Sequence, residues 1–231
     1  MTHYTYLLVD FFTVIICFIA SFDSRIKFNL HFRAFLKAAV LAAIFYIVWD
    51  VWFTKMGIWW FNEKYTVGFN ILGLPIEEWL FFFCIPFACV FTYFCLNHFF
   101  RLAWANRFNK FIAWITVVGC LIASVIFHEK MYPFVTALVG LLAMVYLYFM
   151  AKVKWIGQAT FVYLILLPGF FLVNGVLTGT GLQSPIVNYN PKEILNIRMW
   201  TIPIEDAVYG YAQFLIVIYL FKKFKTKDYE K

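Results

Sequence analysis

The hydrophobic pattern along this chain consists of seven long apolar stretches separated by shorter polar segments. The stretches cover residues 4–22, 35–53, 75–96, 111–127, 131–151, 155–177 and 200–221. A transmembrane helix needs about 20 predominantly apolar residues, and all seven stretches approach or exceed that length. Their apolar positions do not alternate strictly with polar ones, as they would in a membrane β-barrel. The pattern therefore predicts an all-α polytopic membrane protein with seven transmembrane helices.

The composition points to the same class. Hydrophobic residues make up 64% of the 231 positions and charged residues 13%, whereas soluble domains are about 45–50% apolar and about 25% charged. These values exclude a soluble domain, a disordered chain and a small disulfide scaffold. The five cysteines all lie within apolar stretches and lack the paired spacing of a zinc site, so we expect them to be core or lipid-facing residues.

The net charge of +7 is distributed unevenly between the two sides of the predicted bundle. The side opposite the N-terminus carries 14 of the 19 lysines and arginines: Arg25, Lys27, Arg33, Lys37, Arg101, Arg107, Lys110, Lys152, Lys154, Lys222, Lys223, Lys225, Lys227 and Lys231. The positive-inside rule then predicts a bacterial-type cytoplasmic membrane, with the N-terminus outside and the C-terminus in the cytoplasm. Because the membrane topology explains the excess of basic residues, we expect membrane lipid and no nucleic acid as a partner.

A short acidic motif occurs twice in the chain. Residues 75–78 read Pro-Ile-Glu-Glu and open the third span, and residues 203–206 read Pro-Ile-Glu-Asp and open the seventh. Other positions match further upstream: residues 61–64 with 189–192, and Asp50 with Asn174. The chain is thus predicted to contain two parallel three-helix repeats, residues 1–97 and 131–231. Residues 98–130, with the fourth helix, join the two repeats. This extra crossing of the membrane gives both repeats the same orientation.

The repeat brings four carboxyl groups to one depth near the N-terminal side of the bundle: Glu77, Glu78, Glu205 and Asp206. Acids in a first helical turn can simply complement the helix dipole. Here Leu74 precedes the first pair and residues 79–83 follow it without a polar break, so the carboxyls lie at the hydrocarbon edge, where ionisable groups are usually functional. Burial and mutual repulsion should leave a proton on one carboxyl of each pair, which would suit acid catalysis on an apolar substrate.

Six further residues are candidates for substrate binding: Asp50, Trp60, Asn62, Trp79, Asn190 and Tyr209. Asp50, like Asp10, lies within a span and is either a proton relay or a carboxyl hydrogen-bonded in the bundle. The asparagines match across the repeat, but both could serve only to shape their loops. The aromatic residues could belong to an interfacial belt, and some of them could stabilise a cation.

The first motif and its surroundings resemble the membrane-integral lycopene cyclases, which occur as two small subunits in some bacteria and as fused domains in other organisms. The similarity is carried by residues 48–50, 59–62 and 74–82, and more loosely by residues 190–206. It implies a fused form of this family, with a linear C40 carotenoid, lycopene, as substrate and possible association with other enzymes of the carotenoid pathway. Asp206 stands where a second Glu is expected, which keeps the charge and shortens the side chain.

The resemblance implies a lycopene β-cyclase, an intramolecular lyase or isomerase that closes β-ionone rings without net redox change. A carboxyl would protonate the terminal alkene, the neighbouring double bond would attack the cation, and a carboxylate would remove a proton. One member of each acidic pair would act as acid or base, and no cofactor or metal is expected. Two alternatives stay open: a transporter or channel with a buried acidic site, and a metal-dependent prenyl-diphosphate enzyme.

Overall fold

The computed structural model describes residues 2–229, with side chains through Lys225. Seven helices in this part of the chain are long and apolar enough to cross a membrane. They are α1 (Thr5–Ala20), α2 (Phe32–Lys55), α3 (Ile76–Phe99), α4 (Asn109–Ile126), α5 (Met131–Val145), α6 (Ile156–Leu177) and α7 (Ile204–Tyr229). The predicted all-α polytopic class is confirmed. Two basic residues used in the topology argument, Lys231 and the side chain of Lys227, lie outside the described residues.

The helix boundaries follow the hydrophobic pattern except at the start of the seventh span. That span was predicted from residue 200, yet α7 begins at Ile204 because the preceding residues form a hairpin of β5 (Arg198–Met199) and β6 (Ile202–Pro203). An equivalent hairpin of β2 (Asn70–Ile71) and β3 (Leu74–Pro75) precedes α3. The apolar residues of β5 and β6 are continuous with those of the helix, so hydropathy alone extends the helix too far.

The two halves of the chain repeat this local structure with a shift of 128 residues, the separation between Pro75 and Pro203. Leu72, in the first hairpin turn, has a left-handed backbone with a φ of 55°, and its counterpart Trp200 has a φ of 58°. A non-glycine residue seldom adopts this conformation, so its occurrence at matching positions shows that the two hairpins share one geometry. Both hairpins lead directly into an acidic helix start.

A third pair of strands joins the halves. β1 (Trp59–Phe61) pairs antiparallel with β4 (Val187–Tyr189), and Trp60 lies opposite Asn188. Because the same shift of 128 maps Trp60 onto Asn188, the strands meet at equivalent central positions. Two units related by a two-fold rotation would pair in this way, which agrees with parallel repeats.

Helix packing departs from this symmetry. α2 packs closely along α7, whereas the corresponding helices α6 and α3 make few contacts. The side of α2 in the core carries four buried alanines: Ala38, Ala39, Ala42 and Ala43. Small residues let helices approach closely in a membrane. At the matching positions, 124 residues later as for Asp50 and Asn174, α6 carries the bulkier Val162, Tyr163 and Leu166.

Candidate active site

A chamber of about 100 Å³ lies between the two repeats, at the end of the bundle where α1 begins. Its polar lining comes from both repeats: Tyr6, Asp50 and Glu78 from the first, and Tyr132, Asn174, Thr178, Tyr189, Asp206, Tyr209 and Gln213 from the second. Apolar and aromatic side chains complete the walls, among them Trp59, Phe61, Phe81, Ile85 and Phe170. The two acidic motifs therefore contribute to one site and not to two separate ones.

Glu78 is the acid of the first motif that lines the chamber. It is the third residue of α3, and 7% of its surface is exposed. The hydroxyl of Tyr6 donates a hydrogen bond to Glu78 Oε2 at 2.5 Å. Asp50 of α2, which is also buried, shares a hydrogen bond with Glu78. Two carboxyl groups can share a hydrogen bond only if one of them holds a proton.

Asp206 occupies the matching position in the second repeat but has different partners. The hydroxyl of Tyr132 donates to Asp206 Oδ1 at 2.6 Å, and that of Tyr189 donates to Oδ2 at 2.9 Å. Burial and the neighbouring Asp206 raise the pKa of Tyr189 well above its ordinary value, so Tyr189 keeps its proton and remains a donor. Two hydroxyl donors stabilise the charged form of a carboxylate.

One substitution between the repeats makes the two carboxyl sites chemically unequal. Tyr6 and Tyr132 are both the second residue of their helix, and each donates to the acid of its own repeat. Asp50, however, is matched by Asn174, an amide that cannot share a proton in the same way. The chamber therefore presents two hydrogen-bonded carboxyl groups on one side and a single carboxyl group with two hydroxyl donors on the other.

The other two motif acids point away from the chamber. Glu77 Oε1 accepts the backbone N–H of Val67 at 2.6 Å, and Glu205 Oε1 accepts that of Leu195 at the same distance. Each bond ties the preceding loop to the first turn of its helix. Among the candidates for the acid and base roles, the structure thus brings Glu78 and Asp206 together and turns Glu77 and Glu205 toward the loops.

The candidate substrate-binding residues also divide into two groups. Asp50 and Tyr209 line the chamber. Trp60 lies on β1 and is 46% exposed. The remaining three residues bond to loop backbone: Asn62 to Lys64 and Pro185, Trp79 to Ile71, and Asn190 to Lys192 and Gly57. The asparagines therefore shape their loops, one of the two interpretations open from the sequence.

The two tyrosines at the helix starts were missed from the sequence, although a signal was present. The repeat predicted from the sequence extends back to Asp50 and Asn174. Tyr6 precedes Glu78 by 72 residues, and Tyr132 precedes Asp206 by 74. Extending the repeat through the first and fifth spans would have aligned the two tyrosines and indicated a function for them.

Asp10 is a further buried carboxyl of α1, with 1% of its surface exposed. Neither of its carboxyl oxygens has a hydrogen-bond partner among the described residues. The alternative in which the bundle holds Asp10 by hydrogen bonds therefore finds no support in the geometry. Within residues 2–225, no three His, Cys, Asp or Glu side chains form a group suited to a metal ion.

The profile of a protein family described as "Lycopene cyclase" matches residues 3–96 and 129–224. The chain belongs to the lycopene cyclase family. The two matched segments contain both acidic motifs, all the polar residues of the chamber and six of the seven long helices. Comparisons with curated proteins and with solved structures return no match. Membership makes the chain an enzyme of carotenoid biosynthesis, held in a membrane, with a carotenoid as its substrate.

Proposed function

We propose that this lycopene cyclase is a β-cyclase that closes the linear ends of lycopene to β-ionone rings by acid–base catalysis through a carbocation. The proposal is supported by the single chamber that is lined both by the hydrogen-bonded pair Asp50–Glu78 and by Asp206. An acid and a base in one apolar site are the two groups that a cyclisation without redox change requires.

The first step is assigned to the Asp50–Glu78 pair. The pair donates its proton to the terminal alkene of the substrate, and a tertiary carbocation forms at the adjacent carbon. The π electrons of the neighbouring trisubstituted double bond attack this carbon, which makes the ring bond and moves the positive charge into the ring. Tyr6 stabilises the carboxylate left on Glu78 by its hydrogen bond.

The second step is assigned to Asp206. Its carboxylate, held by Tyr132 and Tyr189, removes a proton from the ring carbon next to the cation and leaves the double bond of a β-ionone ring. The product has the same elemental composition as the substrate, as in an isomerase reaction. The cycle closes when Asp206 releases its proton to solvent and the Asp50–Glu78 pair takes up another proton from solvent.

The walls of the chamber suit a cationic intermediate. The rings of Phe81 and Tyr209 occupy matching positions of the two repeats and both line the chamber, together with Trp59. Aromatic faces attract cations, most strongly where water is excluded. We assign these rings to stabilisation of the ring cation, while other aromatic residues belong to the membrane interface.

We further propose that the N-terminus and the chamber lie on the outer side of a bacterial-type cytoplasmic membrane. The basic residues collect at the opposite end of the bundle, as the positive-inside rule requires. A cysteine placed next to Thr2 should then react with an impermeant thiol reagent in whole cells, whereas one placed in the loop after Lys152 should not.

The function is tested by expressing the chain in a bacterial host that accumulates lycopene and separating the extracted pigments by chromatography. We expect monocyclic γ-carotene and bicyclic β-carotene, and unchanged lycopene with the variant Glu78→Gln. Products with ε rings would show that the proton leaves a different ring carbon, which would contradict the step assigned to Asp206. Unchanged lycopene with the wild-type protein present in the membrane would contradict the proposed function. Such a result would favour a transporter or channel with a buried acidic site.

A further inference from the structure

An apolar groove leads sideways from the chamber between α1, α3, α6 and α7. It has a volume of about 570 Å³, several times that of the chamber. Five residues line both spaces: Ile85, Phe170, Asn174, Gly210 and Gln213. The groove is therefore continuous with the chamber and extends it toward the middle of the bundle.

The groove opens toward the surroundings of the bundle. Leu8 and Phe12 of α1 and Leu172 of α6 line it and are exposed. Deeper in the bundle, Val90 and Val217 form part of its lining, and both are buried. In a membrane the open side faces lipid, so an apolar chain can lie in the groove without crossing a polar layer.

Among the described residues, the side of the bundle that corresponds to this groove is packed differently, although the sequence repeat is symmetric. The matching position lies between α2 and α7, and the buried alanines of α2 close it by letting the two helices pack together. On the groove side, Tyr163 and Leu166 of α6 line the opening, and α6 makes few contacts with α3. Among the described residues, this groove shares lining residues with the chamber, whereas the apolar groove that contains Glu205 shares none, so the first groove is a lateral route into the chamber.

We infer that this groove is a binding site for the polyene chain of the substrate, which lies there while the chamber encloses one end group. The inference rests on the proposed function and extends it. The occupant is assigned from the continuity with the acidic chamber, the apolar lining and the lateral opening. A linear carotenoid is long and wholly apolar, and the chamber is too small for more than one of its ends.

This route has a consequence for the order of the reaction. Through the groove, the second end group can reach Asp50, Glu78 and Asp206 only after the monocyclic product has left the groove and returned in the reverse direction. We therefore expect monocyclic product to accumulate before bicyclic product in a time course with limiting enzyme.

Two glycines allow a matched test. Gly169 of α6 lines the groove, and Gly119 of α4 lines a second apolar groove of about 560 Å³ that shares no lining residue with the chamber. A Cβ added at either position meets no atom within 4 Å, so neither backbone position is closed to a side chain at the Cβ. The variants are Gly169→Trp and, as the control, Gly119→Trp.

Two quantities are measured in the lycopene-accumulating host: the cyclised fraction, and the lycopene that co-purifies with each variant in a Glu78→Gln background. We expect Gly169→Trp to lower both by at least ~tenfold, because displacement of the end group by about 1 Å already costs up to ~100-fold in rate. Gly119→Trp should stay within about twofold of its parent, since it does not obstruct the route.

Equal cyclisation and equal bound lycopene in Gly169→Trp and Gly119→Trp would overturn the inference while leaving the proposed function intact; the groove would then hold a lipid acyl chain. If the wild-type protein cyclised nothing, yet bound lycopene were lost only in Gly169→Trp, the groove assignment would stand and the proposed function would fail. If the wild-type protein cyclised nothing and no lycopene co-purified with the Glu78→Gln variant, the inference and the proposed function would both be overturned.

Discussion

Adjacent glutamates at the start of α3 allow the sharpest test of the catalytic assignment. Glu77 and Glu78 are both buried and belong to the same helical turn. The change to glutamine is the same at each position and keeps the size of the side chain. Only the contacts differ: Glu78 lines the chamber with Asp50 and Tyr6, whereas Glu77 accepts the backbone N–H of Val67.

Glu78→Gln removes the proposed acid, because an amide cannot donate a proton to an alkene. General acid catalysis contributes about 10²–10⁴-fold, so the rate of ring closure should fall by that factor. Glu77→Gln keeps an amide oxygen that can accept the Val67 N–H. It exchanges a charge-assisted bond for a neutral one, at a cost of about 1 kcal/mol in stability, and the rate should stay within about threefold of wild type.

The assay is the rate of monocyclic product formation by purified protein in lipid vesicles that contain lycopene, normalised to folded protein. Thermal unfolding of each variant is followed in parallel. Equal losses of rate in the two variants, or a larger loss in Glu77→Gln at unchanged stability, would refute the assignment of Glu78 to the chemistry and of Glu77 to loop positioning.

The remaining predictions concern the other groups of the chamber. Asp50→Asn keeps the size of the side chain but removes the proton shared with Glu78, so ring closure should slow by at least ~tenfold. An unchanged rate in the vesicle assay would contradict the pairing of Asp50 with Glu78. Tyr132→Phe removes one donor from Asp206, worth about 1.5–3 kcal/mol for a charged acceptor, so the rate should fall by roughly 10–100-fold, with Tyr146→Phe as the control. Reaction in D2O should add one mass unit per ring, because protonation and proton removal occur at different carbons; mass spectra without this increment would exclude the mechanism. EDTA should leave the rate unchanged if the carboxyls act by proton transfer, and a rate restored only by Mg²⁺ would favour the metal-dependent alternative.

The membrane class and the repeat could be predicted from the sequence because both depend on local, periodic information. A stretch of apolar residues long enough to cross the hydrocarbon must form a helix, since every backbone N–H and C=O needs a partner there. The duplicated Pro-Ile-acid-acid motif likewise indicated that Glu78 and Asp206 occupy equivalent positions. The hairpins before α3 and α7 are not predicted by the sequence, because their strands are two residues long and too short to show alternation.

Which acids share the chamber was decided only by the tertiary structure. Neighbours in a helical turn are rotated by about 100°, so Glu77 and Glu78 face different surroundings, and sequence does not say which of them faces the other repeat. Tyr6 and Asp50 reach Glu78 from helices far away in the chain. The lateral groove depends in the same way on how closely α2 approaches α7 and how far α6 stays from α3. The sequence by itself determined the spans and the paired acidic helix starts; packing between the helices decided which carboxyls meet and from which side an apolar chain can reach them.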